Sequence, residues 1–137
     1  SIVDWLVNRA RSYIFSTALP EATAAAALEA LRYVREEPHR RSQLRERSQL
    51  LRSELRQQGW DLGDSASQIL PLYVGDPQDA VTLSAELRRA GLLAPAIRPP
   101  SVPPGEALLR ISLSYAHPPS AIDALTAALH SRRPQRA

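Results

Sequence analysis

The chain has 137 residues, 44% hydrophobic and 23% charged, with a formal net charge of +3. That is the size and composition of one ordinary globular domain, and it excludes an intrinsically disordered chain and, with no apolar run near roughly 20 residues, a membrane helix. Cysteine is absent, which excludes a disulfide framework, a thiol nucleophile and a thiolate metal site and fits a cytoplasmic setting; all 17 basic residues are arginine, so no lysine amine is available.

Ser1 to about Ser12 reads as an amphipathic helix, with Ser1 as N-cap and Asp4 three residues on. It lacks the basic-then-apolar pattern of a secretory signal. Tyr13 to Leu19 is a short extended link rich in hydroxyls, and Pro20 opens the next helix, where its fixed φ and missing N–H cost least. Glu21 to Glu36 is strongly helical around ATAAAALEAL, since alanine has the highest helix propensity and lets neighbouring backbones approach closely. Pro38 should kink or restart this helix. It continues from His39 to Gln58, with Leu44, Leu51 and Leu55 on one stripe, and ends at Gly59. Arg40, Arg41, Arg45, Arg47, Arg52 and Arg56 line the second half. Basic stripes bind nucleic-acid phosphates, but Glu46 and Glu54 interrupt this one and no aromatic residues interleave for base stacking; the expectation is a solvated helix face and no nucleic-acid partner.

Trp60 to Ser67 is a loop. Gln68 to Val74 is a strand, in which Pro71 suggests an edge position or a bulge. Asp76 should N-cap a helix running to about Ala90, with Ala80, Leu83 and Leu87 inward and Gly91 closing it. Leu92 to Ile97 is a second strand, followed by a proline-stiffened loop to Gly105. Leu108 to Ser114 alternates as a third strand, with Leu109, Ile111 and Leu113 on one face and Leu108, Arg110, Ser112 and Ser114 on the other. A last helix, Ala121 to about His130, turns Ile122, Leu125 and Leu129 inward, and the final seven residues read as a frayed tail. The fold class is therefore α/β: a two-layer sandwich of a small three-stranded sheet with helices, preceded by a long helical segment.

Arg110 draws attention because a guanidinium held on a strand beside a stiff loop carrying Arg98 suits a carboxylate, whose two oxygens match its donor fork. The plain alternative is an edge-strand arginine snorkelling into water. Ser16 and Thr17 are adjacent hydroxyls next to a helix start, suited to phosphate oxygens or simply to capping. His39, His117 and His130 do not form a metal-ligand spacing, and His117 is expected to cap the last helix.

Two separated blocks carry a resemblance. Ile97 to His117, IRPPSVPPGEALLRISLSYAH, and Tyr13 to Pro20, YIFSTALP, resemble the signature segments of the α-oxoamine synthases, in the same order and with SQILPLYVGDPQDAVTLSAELRRAGLLAPAIRPP matching between them. The resemblance covers nearly the whole chain. It implies the C-terminal small domain of a fold type I pyridoxal-phosphate-dependent transferase: residues 1–19 ending the large cofactor domain, 20–58 as connecting helices, 59–137 as the small domain. It implies a homodimer in which Ser16 and Thr17 reach the cofactor phosphate of the neighbouring subunit, Arg110 binds the amino-acid carboxylate, and Ser101 and, with a weaker claim, Arg98 contact substrate. Within the family the RPPSVP loop looks most like the biotin-pathway branch, which condenses L-alanine with a pimeloyl thioester; the 2-amino-3-ketobutyrate ligases and 5-aminolevulinate synthases are the neighbouring branches. Pyridoxal phosphate is held as a Schiff base on a lysine, and this chain has none. The resemblance thus places the cofactor lysine upstream of Ser1 and no catalytic residue in the chain. The rival from another class is a stand-alone, non-catalytic binding module that presents its arginine-rich helix to a partner.

Overall fold

A computed structural model describes residues 1–14 and 19–132. The chain divides into two compact units, Ser1–Pro38 and His39–Ala137. In the first, α1 (Ile2–Arg9) starts with a capping box: the Ser1 hydroxyl accepts from the Asp4 N–H, and the Asp4 carboxylate accepts in return. The helix stops three residues before the expected Ser12. Ala10 leaves the helical region at φ −71°, ψ 110°, and a turn follows in which the Tyr13 N–H donates to the Ala10 carbonyl. α2 (Glu21–Glu36) is the alanine-rich segment and ends at Glu37. None of the residues of α1 or α2 is buried.

The second unit contains α3 (Pro38–Gln57), β1 (Ile69–Gly75), α4 (Pro77–Arg89), β2 (Ala96–Ile97), β3 (Ala107–Ser112) and α5 (Pro119–His130). The strands form one antiparallel sheet in the order β1-β3-β2. The inward residues of β1 and β3, Leu70, Leu72, Leu109 and Ile111, pack in one cluster with Leu51 and Leu55 of α3, Leu83 and Leu87 of α4, and Leu125 and Leu129 of α5. Period-2 alternation meets three amphipathic helices on one face, which is the two-layer α/β sandwich the sequence implies. Among the described residues, no helix is long and apolar enough to cross a membrane.

Proline and glycine punctuate the fold as their chemistry requires. Pro38 occupies the first position of α3, where its missing N–H has no partner to lose. Pro71 lies on β1, an edge strand, and the bulge in that strand falls between Tyr73 and Gly75. Gly59 (φ +94°) and Gly91 (φ +79°) close α3 and α4 with paired bonds: Gly59 N–H to Arg56 and Trp60 N–H to Leu55, Gly91 N–H to Arg88 and Leu92 N–H to Leu87. These are Schellman closures, and the Leu55–Trp60 pair adds the accompanying apolar contact.

Two expectations are corrected here. The second strand shrinks from Leu92–Ile97 to Ala96–Ile97, because Leu92 completes the Schellman closure of α4 and Pro95 has no N–H to give to a ladder. The arginine run of α3 is not simply a solvated face. Arg52 is buried and donates to the Ser67 carbonyl at 2.7 Å, Arg56 donates to Gly63 at 2.7 Å, and Arg47 donates to Tyr115 and His117, each at 3.2 Å. Loops leave carbonyls without ladder partners, and these guanidiniums supply charged donors to them.

Candidate functional site: an arginine cavity at the open side of the sheet

β2 pairs with β3 only at Leu108 and Leu109, extended by one bond from the Arg110 N–H to the Pro95 carbonyl at 3.0 Å. Beyond it, among the described residues, β3 has no strand on that side. A cavity of about 480 Å³ opens there, walled by residues 91–95, by Arg110 to Leu113 of β3, by His117, and by the start of α5. Each wall is fixed. The 91–95 segment is anchored by the closure of α4 and by the Ser84 hydroxyl, which donates to the Ala94 carbonyl at 2.7 Å. α4 itself is started by Asp76, whose carboxylate accepts from Gln78 N–H at 2.7 Å and Asp79 N–H at 3.0 Å. The third wall is the turn from Ser114 to His117, closed by Ser114 N–H donating to His117 Nδ1 at 3.1 Å and by His117 N–H donating to the Ser114 carbonyl at 3.2 Å.

Arg110 lies on the central strand, not on an edge, and its side chain is exposed at this cavity. Its backbone is locked on both sides, facing Pro71 in the β1 register and bonded to Pro95. Among the described residues its guanidinium has no hydrogen-bond or ion-pair partner. The site therefore offers a complete donor fork on a rigid strand, above a largely apolar cavity whose size is that of a small-molecule site.

The other expected site residues are distributed differently. Arg98 and Ser101 are exposed on the following loop, tied to each other by the Ser101 N–H donating to the Arg98 carbonyl at 3.0 Å, and they do not line this cavity. Ser16 and Thr17 lie outside the described residues. His117 does not cap the last helix. Pro118 and Pro119 open α5 without side-chain capping, and the imidazole turns back to Ser114 instead, so that its Nδ1 acceptor is already taken by that N–H. Sequence reasoning passed over His117 as a cavity residue and Arg47 as the clamp on its turn. The Arg-rich periodicity of α3 marked Arg47 without showing its partners. Among the described residues, no cluster of His, Asp or Glu is arranged to hold a metal.

The geometry is that of a small antiparallel sheet packed with helices, with an arginine on its middle strand that has no partner among the described residues, beside a cavity. Residues 1–129 match the family described as Aminotransferase class I and II, and the chain belongs to that family. Among curated proteins, 8-amino-7-oxononanoate synthase of Methylococcus capsulatus is 46% identical over 137 residues, all of this chain and 35% of that protein. Among solved structures, the serine palmitoyltransferase of Sphingomonas wittichii matches at a TM-score of 0.86 and 30% identity, over 94% of this chain and 33% of its own. A serine palmitoyltransferase of S. paucimobilis with bound PLP and myriocin matches at 0.79 and 28% identity, over 88% and 31%. The chain thus spans about a third of the length of the relatives it matches.

Proposed function

We propose that this chain is the substrate-gripping portion of a pyridoxal-phosphate-dependent acyltransferase that condenses L-alanine with a pimeloyl thioester to give 8-amino-7-oxononanoate. In that reaction the alanine carboxylate leaves as carbon dioxide, the thiol carrier leaves the acyl group, and alanine Cα joins the acyl carbon. The observation that carries the reading is the Arg110 guanidinium on the cavity wall, unpartnered among the described residues. Its fork matches a carboxylate, and fixing the carboxylate fixes which bond at Cα is aligned to break. The choice of alanine and the pimeloyl thioester rests on the relative of M. capsulatus and its printed name.

Pyridoxal phosphate, when bound, supplies the electron sink for bond breaking at Cα. No described residue of this chain fits as its covalent anchor, because the chain has no lysine. The chain's own contribution is on the substrate side: Arg110 binds and orients the carboxylate, beside a cavity partly lined by the apolar Leu92 and Ile122. Ser16 and Thr17 are proposed to contact the cofactor phosphate from a neighbouring subunit of a homodimer. Ser101 and Arg98 are proposed to meet substrate from the proline loop. Residues 1–19 would end a large cofactor domain, 20–58 connect, and 59–137 form the small domain of a cytoplasmic enzyme. The competing idea of a stand-alone module that uses the arginine stripe loses support, since Arg47, Arg52 and Arg56 are engaged with the chain's own carbonyls.

The test is to supply a full-length protein bearing this chain with pyridoxal phosphate, L-alanine and a pimeloyl thioester. The expected result is stoichiometric 8-amino-7-oxononanoate and carbon dioxide. Turnover with glycine and an acetyl or succinyl thioester instead would transfer the protein to a neighbouring branch, and no turnover with any amino acid would end the reading.

A further inference from the structure

Arg47 stands on α3, yet its partners are 68 and 70 residues away. Its Nη1 donates to the carbonyls of Tyr115 and His117, each at 3.2 Å, and its guanidinium carbon lies 5.6 Å from the centre of the Tyr115 ring. These carbonyls belong to the turn that joins β3 to α5. The same turn is closed from within by the Ser114 N–H donating to His117 Nδ1. A nitrogen that accepts from a backbone N–H carries no proton, so the neutral ring holds its proton on Nε2. His117 and the first residues of α5 form a wall of the cavity that Arg110 shares. Arg40 also lies over the Tyr115 ring, at 5.2 Å, and His39 meets it edge-on, but it is Arg47 that bonds the two carbonyls of the segment that sets this wall.

We propose that Arg47 is a positioning residue for the Arg110 cavity: by clamping the turn from Ser114 to His117 it fixes the place and tautomer of the His117 imidazole beside the ligand of Arg110. The effect on ligand binding rests on the reading of the cavity as an amino-acid site; the effect on the turn does not. Two carbonyls converging on one point repel each other, and a charge-assisted donor relieves that repulsion where water would leave the turn several arrangements. Arg56 supplies an internal comparison. It clamps a carbonyl from the same helix, that of Gly63, which lines no part of this cavity.

The test has two arms, using Arg47→Gln, Arg47→Lys, Arg56→Gln and Arg110→Ala. In the 137-residue chain, long-range proton–nitrogen spectra of the imidazoles report the His117 tautomer. It should be Nε2–H in the starting protein and in Arg56→Gln, and a mixture in Arg47→Gln. In a full-length protein bearing this chain, equilibrium binding of L-alanine should weaken by about tenfold in Arg47→Gln, the range typical of losing a group that orients a contact residue. Arg47→Lys should recover part of both signals, because an ammonium can still donate to two carbonyls; it also keeps the test decisive should Arg47→Gln fail to fold. An unchanged His117 tautomer in folded Arg47→Gln overturns the proposal, and so does equal loss of alanine affinity in Arg47→Gln and Arg56→Gln. Loss of affinity in Arg110→Ala without loss in Arg47→Gln removes Arg47 alone. Unaltered affinity in Arg110→Ala sinks the amino-acid reading of the cavity.

Discussion

Arg110 and Arg52 are two arginines in opposite surroundings, and each makes its own prediction. Arg110→Ala in the full-length protein removes a charge-assisted bidentate contact worth on the order of 1.5–3 kcal/mol, so L-alanine binding should weaken by about one to two orders of magnitude. Arg110→Lys should also be impaired, because a point ammonium cannot reproduce the fork. Calorimetric titration of alanine checks both, and equal affinities across the three proteins would remove the carboxylate assignment. Arg52 is buried with its Nη2 on the Ser67 carbonyl. Arg52→Ala strips that donor and the packed stem together, and about 2–3 kcal/mol of stability should go with them, read as a lower urea midpoint. Alternation along β3 made the exposure of Arg110 legible in the sequence. The role of Arg52 was not legible, because Ser67 is reached only after the chain has turned at Gly59 and come back along α3. His117 shows a different limit: its partner, Ser114, is only three residues away, but spacing alone did not show whether the imidazole turns back to that N–H or forward to the helix.

At the scale of elements, what could be read and what could not divides by how local the cause is. Helix ends came out within a few residues, because caps are made by neighbours: Ser1 with Asp4, Asp76 with Gln78 and Asp79, glycines at positive φ. The extent of β2 did not, because a strand ends where its partner's ladder ends, and residues 92–95 are claimed by the closure of α4 and by Ser84. Gly59 allows a clean measurement of what such a closure contributes. A Cβ there would meet nothing within 4 Å, so Gly59→Ala introduces no clash and tests backbone conformation alone. The cost of a left-handed alanine should appear as about 1–2 kcal/mol lost in denaturant unfolding. A neutral substitution would mean that the closure relaxes freely. Asp76→Ala should lose about 1 kcal/mol by the same measurement, since two N–H groups of the first turn of α4 lose their acceptor.

The whole molecule is uneven in a way that composition alone does not reveal. The unit Ser1–Pro38 contains two helices with no buried residue, whereas the unit His39–Ala137 holds the leucine core. α2 is 16 residues long, and its Leu28 and Leu31 are 69% and 60% exposed. A helix of that length is marginal in water even when rich in alanine, since nucleation is costly and only propagation and packing repay it. Its exposed ion pairs from Arg32 to Glu29 and Glu36 add only tenths of a kcal/mol. The strands and α3 are different: opening them exposes Leu51, Leu55, Leu70, Leu72 and Leu109 together, so they should open only with the unit as a whole. Native-state hydrogen exchange on the 137-residue chain should therefore show α2 amides exchanging at least about a hundredfold faster than those of β3, a gap of about 2.7 kcal/mol in opening free energy. A hydrophobic dye should bind the chain, and substituting Leu28 and Leu31 by glutamine should reduce that binding while leaving β3 protection unchanged. Protection of α2 equal to that of β3 would show that its apolar stripe is covered in solution, and the division of stability between the two units would be wrong.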